Sequence, residues 1–162
     1  MRKIMVGTGV LALVALGITF TGARPARSEA GETMRFYEHD DSDVQVDVGD
    51  KGESAGDQYL YAGDLFDRKG GTKVGRVGGV CQTISTGKGG MSQCSAAFIL
   101  GDGQILGEGV FDTAALFGGG QTLPFAIIGG TGAYRDVQGT GTVQVPPDVP
   151  NYADANWELH LS

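Results

Sequence analysis

The sequence has little of what many active sites are built from. Its 162 residues include 2 histidines and 2 cysteines. The histidines, His39 and His160, are far apart and no Gly-x-Ser-x-Gly elbow occurs, so a serine-hydrolase triad has no support. No His or Cys cluster shows metal-ligand spacing. Basic residues are scarce, 12 against 19 acidic ones. Such a surface repels phosphate backbones, which argues against nucleic-acid partners. No apolar run reaches the ~20 residues that a membrane-spanning helix needs.

The longest apolar run, Ile4–Phe20, has 17 residues and contains Gly7, Gly9 and Gly17. It follows Met1-Arg2-Lys3 and leads into Thr21-Gly22-Ala23. A basic start, an apolar core and a small-x-Ala end are the parts of a secretory signal peptide. Cleavage is expected after Ala23, with Ser28-Glu29-Ala30 as a second site; an uncleaved anchor is the alternative. No cysteine follows the run, which disfavours a lipoprotein, and Arg-Lys rather than Arg-Arg disfavours a twin-arginine route. Residues 1–30 are therefore set aside as a leader. A secreted or extracytoplasmic protein is expected, with no stable membrane insertion after cleavage. Residues 31–162 make one domain with 8 basic and 18 acidic residues, a net charge near −10.

What the chain has in abundance is glycine, 29 residues, more than twice the usual ~7%. The glycines alternate with Val, Ile, Phe and Thr. Each would cost a helix interior ~1 kcal/mol, whereas bent strands use glycine at bulges and corners. The pattern predicts an all-β fold of eight strands: Met34–His39 (which can resume at Val44–Val48), Gln58–Leu65, Lys73–Ile84, Met91–Leu100, Gln104–Asp112, Leu123–Ile128, Gly139–Val145 and Asn156–Leu161. Ala114–Gln121, with its three consecutive glycines, reads as a flexible connection. Short hairpin loops between eight strands suggest an antiparallel up-and-down barrel, a closed form that can hold one small ligand.

Within the first strand, Met34, Phe36, Glu38 and Asp40 share one face, and Arg35, Tyr37 and His39 the other. Two carboxylates thus follow two large apolar groups. Facing a cavity, they form a site; facing water, they begin an acidic loop. Asp41 and Asp43 read as ordinary loop acids, because the run lacks the EF-hand glycine and distal glutamate. Cys81 and Cys94 lie symmetrically about the Thr86–Gly90 loop, so a symmetric hairpin sets them opposite one another. In an oxidising compartment a disulfide is expected; two free thiols are the alternative. Ile127–Arg135, IIGGTGAYR, resembles a dinucleotide fingerprint, but Arg135 stands where its third glycine belongs and no βαβ unit surrounds it. It reads instead as a glycine-rich corner with one short helical turn.

Several segments, in order, resemble the allene oxide cyclase and dirigent barrel superfamily: Phe36-Tyr37-Glu38, Leu60-Tyr61-Ala62-Gly63-Asp64-Leu65, Gly78-Gly79-Val80-Cys81, Phe98–Asp102 and Ile128–Tyr134. The resemblance implies an eight-stranded antiparallel barrel with a central apolar pocket, often trimeric in that superfamily, working without a cofactor. It implies that Glu38 faces the pocket as the catalytic carboxylate. Asp40 matches an asparagine that helps hold a pocket water. Gln58 matches a second pocket asparagine, Cys81 a pocket cysteine, and Phe111 a pocket tyrosine without its hydroxyl. His39-Asp40 also resembles the His-Asp pair of dirigent proteins. A disulfide to Cys94 would put the pocket role of Cys81 in doubt.

Glu38 and Asp40 are therefore the expected catalytic residues, with Phe36, Gln58, Cys81 and Phe111 against the substrate. The expected function is that of a secreted, cofactor-free cyclase or isomerase acting on a hydrophobic, oxylipin- or polyketide-like molecule. The alternatives are a lipocalin-like binder of an apolar metabolite and a dirigent-like protein that steers radical coupling.

Overall fold

A computed structural model of the chain describes residues 31–147 and 154–162. The leader expected over 1–30 lies outside the described residues. Eight strands run in order: β1 (Thr33–Val46), β2 (Gln58–Phe66), β3 (Lys73–Ser85), β4 (Met91–Leu100), β5 (Gly103–Asp112), β6 (Thr122–Gly130), β7 (Gly139–Gln144) and β8 (Asp154–Leu161). Each pairs antiparallel with its sequence neighbour, and β8 returns to β1, closing the barrel. The expected eight-stranded antiparallel barrel is thus the observed one.

Three local features differ from the expectation. First, β1 does not stop at His39 but continues to Val46 with a bulge, Asp40 pairing Gly63 and Ser42 pairing Ala62. The extra residue, Asp41, is turned to the outer wall, where Arg76 Nη2 donates to its Oδ2 at 2.7 Å. Second, the expected flexible connection contains a helix, α1 (Thr113–Gly118). Asp112 caps it, its Oδ1 accepting from Ala115 N at 2.9 Å, and Leu116 anchors it by burial. The glycine run begins only where the helix ends. Third, Tyr37 is buried although it points outward, with Lys69 Nζ 5.4 Å from its ring centroid and Asp154 beside its hydroxyl. The glycine-rich corner does hold one 3-10 turn, Gly132–Tyr134, tied to the β4–β5 turn by Ala133 N donating to Asp102 O at 2.9 Å.

The barrel interior is filled unevenly along its axis. At one end Leu65, Val77, Phe98, Ile105, Leu159 and Leu161 are almost wholly excluded from solvent and form a solid plug. Phe36 belongs to this layer and stacks on Phe98, ring centroids 6.2 Å apart. Toward the other end the inward positions alternate between rings and glycines. A Cβ on Gly107 would stand 2.6 Å from Phe125 Cε2, and one on Gly79 would stand 2.7 Å from Tyr61 Cζ. The rings lie across the sheet in room that only hydrogen leaves free, which explains much of the inward-facing glycine content.

Candidate functional site

Strand alternation places Glu38 and Asp40 on the inward face of β1, two residues apart and above the plug layer of Phe36. Glu38 is 3% exposed. Its Oε2 accepts a hydrogen bond from Trp157 Nε1 at 2.6 Å, across the seam where β1 meets β8. Trp157 is held by edge-on contacts with Phe98 and Phe125, centroids 5.0 and 5.6 Å away. The donor is therefore rigidly aimed.

The other oxygen, Glu38 Oε1, is buried with no N–H or O–H donor, and Asp40 Oδ1 is in the same condition. Burial raises the Glu38 pKa well above its ordinary value, and the adjacent Asp40 raises it further; the Trp157 N–H works the other way. Burial also raises the Asp40 pKa, opposed by its hydrogen bond with Glu38. The two carboxyls titrate as a pair, each with raised proton affinity. Burial and the same two carboxyls push the Tyr61 hydroxyl upward, so it stays a neutral donor; it reaches Ser95 O at 3.3 Å.

The acid pair opens onto a cavity of about 80 Å³. Its walls include Tyr59, Tyr61, Phe111, Phe117, Phe125 and Trp157, together with Leu116 of α1. Above it lies a wider vestibule of about 840 Å³ formed by the loop after β1, the β3–β4 hairpin end and α1. Tyr59, Cys81 and Phe117 belong to the walls of both. Phe117 meets Tyr59 edge-on, centroids 5.7 Å apart, so this pair forms the neck.

The structure brings four of the expected site residues, Glu38, Asp40, Cys81 and Phe111, to this cavity. Cys81 and Cys94 are direct partners across β3 and β4 and form a disulfide. Cys81 thus contributes a wall and no thiol. Two expected residues are not brought there. Phe36 sits one layer lower, in the plug. Gln58 precedes inward-pointing Tyr59, so alternation turns it away and it lines the vestibule. His39 and Asp40 face opposite sides of the wall, as adjacent strand residues do. His39 Nδ1 lies 2.7 Å from Asp154 Oδ1 on the outer wall.

Sequence reasoning missed Trp157, Tyr59, Tyr61, Phe117 and Phe125. The Ala155, Trp157, Leu159, Leu161 alternation marked Trp157 as inward-facing, yet nothing in the sequence showed that its N–H would meet a residue 119 positions away.

A closed antiparallel barrel with a ring-lined cavity and a buried acid pair defines a class of small single-domain barrel. The family pattern of the allene oxide cyclase barrel like domain matches residues 33–153, and the chain belongs to that family. Among solved structures, a pyocyanin demethylase is 26% identical with a TM-score of 0.67, over 81% of this chain and 100% of that one. The Diels-Alderase AbmU from Streptomyces koyangensis is 22% identical with a TM-score of 0.68, over 82% of this chain and 63% of that one. The pterocarpan synthase dirigent protein GePTS1 is 17% identical with a TM-score of 0.60, over 84% of this chain and 87% of that one. The latter two likenesses are likenesses of fold. No curated protein sequence matches the chain.

Proposed function

We propose that this protein is an exported, cofactor-free cyclase or isomerase that acts on a hydrophobic small molecule inside the barrel. The observation that carries the reading is the Glu38 carboxyl, buried among rings, held by Trp157 and carrying an oxygen with no donor of its own. A small cavity behind a larger vestibule suits a substrate whose reacting part enters while the rest stays outside. Confining a flexible chain in a reactive conformer removes entropy from the barrier, worth up to ~7–11 kcal/mol in well-oriented systems. Glu38, whose burial raises its proton affinity, donates its proton or a hydrogen bond to a substrate oxygen. The Glu38–Asp40 pair then offsets positive charge that develops on carbon.

The similar proteins support a reaction on a small molecule, since they are named as a demethylase, a Diels-Alderase and a pterocarpan synthase. Export would follow from the leader expected over 1–30.

The test begins with native mass spectrometry of the protein purified from its own host, to recover a bound molecule. Wild type and Glu38→Gln are then compared on that molecule. Conversion by the wild type and binding without conversion by the variant are expected. Full conversion by Glu38→Gln would sink the role given to Glu38. Recovery of the molecule unchanged from the wild type would make the protein a carrier.

A further inference from the structure

Among the described residues, the charged groups along the path into the barrel are all of one sign. Glu38, Asp40 and Glu108 line the inner cavity, and Asp47, Glu53 and Asp57 line the vestibule. Among the described residues no lysine, arginine or histidine lines either compartment; Lys51 and Lys88 stand in the rim loops without lining it. The cations of the outer wall are engaged there: Arg35 with Glu158, Lys73 with Asp64, and Arg76 with Asp41. An anion entering the site therefore leaves water, approaches carboxylates and meets no counter-charge, which is costly in a low-dielectric space.

The inner walls add attraction of the opposite sense. Ring faces carry negative potential and hold cations, most strongly where water is excluded. Tyr61 and Trp157 present such rings beside the acid pair. The Glu38–Asp40 pair, with a buried oxygen on each residue that lacks a donor, would accept an N–H from a bound molecule.

We propose that the site selects its ligand by charge, taking an apolar amine or quaternary ammonium and rejecting free carboxylic acids of the same shape. The inference rests on the reading of the barrel interior as a ligand site. It removes unesterified fatty-acid derivatives from the candidate substrates and leaves slender or aromatic molecules that carry a positive nitrogen.

Three probes with one apolar body test it: 4-phenylbutylamine, 4-phenylbutanol and 4-phenylbutanoate. Each is titrated into the full protein at neutral pH and low salt. The chain has 1 tryptophan, Trp157, in the cavity wall, so its emission reports occupancy. The amine should bind at least about tenfold more tightly than the carboxylate, the alcohol falling between, and salt should narrow the gap. Carboxylate binding as tight as amine binding would overturn charge selection and leave the ligand site standing. No binding of any probe would overturn both. Glu53→Lys, an exposed vestibule change, should shift the ratio toward the carboxylate severalfold. An unchanged ratio there would overturn the part given to the vestibule acids.

Discussion

Trp157 Nε1 and Glu38 Oε2 lie 2.6 Å apart, one on the last strand and one on the first, and the bond is buried. It fixes the acid's direction and only partly offsets the cost of placing it among rings. The pH dependence of stability follows. The ordinary value for this side chain is 4.5, and its value in the fold is raised well above that. Between the two, the native state holds a proton that the unfolded chain has released. Stability from this group is full below about 4.5 and is lost as pH rises toward the native value, by at most about 1.4 kcal/mol per pH unit for one proton. Asp57, Asp64, Asp154 and Glu158 have lowered values and act oppositely, losing their contribution in acid. The difference between wild type and Glu38→Gln isolates the acid pair. Glutamine keeps an acceptor for Trp157 and carries no charge, so the variant should gain on the wild type as pH rises above 4.5. Urea denaturation across a pH series measures this; parallel curves would remove the raised proton affinity.

The cross-strand disulfide closes a sequence separation of 13 residues. Removing it frees the unfolded chain, which chain-entropy arguments put at about 3 kcal/mol for a loop of that size. Cys81→Ala/Cys94→Ala should lower the melting temperature by on the order of 10 °C. Reduction of the wild type should produce most of the same shift, and thermal melts with and without a reductant compare the two. A variant as stable as the oxidised wild type would show that the hairpin hydrogen bonds hold β3 and β4 together unaided.

Two glycines of β-strand and turn predict opposite outcomes. A methyl on Gly107 would meet the Phe125 ring at 2.6 Å, so Gly107→Ala should cost roughly 1–3 kcal/mol through overpacking. A methyl on Gly101 would meet nothing within 4 Å. Gly101→Ala should be neutral or stabilise by up to about 1 kcal/mol, through a less flexible unfolded chain. Equal destabilisation of the two in chemical denaturation would mean that space inside the barrel is not what the glycines provide.

Much of the frame was legible because strand alternation and hairpin symmetry act over short range. The shared face of Met34, Phe36, Glu38 and Asp40 and the pairing of Cys81 with Cys94 both follow from counting residues, while the inward direction of that face came only with the resemblance. The helix at Thr113–Gly118 was hidden by the glycines that follow it, although Asp112 before Thr113-Ala114-Ala115-Leu116 is a cap signal. Gln58 was placed in the pocket by resemblance, while plain alternation with Tyr59 would have turned it away. The long-range parts were not legible. Lys69 over Tyr37, Phe117 against Tyr59 and Trp157 against Glu38 all join elements whose meeting depends on closure and on loop paths.

Closure of β1 on β8 also bears on the order of assembly. Thr33 pairs with His160 and His39 with Asp154, so the seam joins the two ends of the domain. A chain lacking β8 can form the hairpins from β1 to β7, yet in it Glu38 meets no indole, and the strand carrying the acid remains an open edge. The Trp157 donor is therefore brought to Glu38 by the step with the longest sequence span, which is also the step that loop entropy disfavours most. Recovery of tryptophan emission during refolding would time the moment at which the barrel acquires its chemistry.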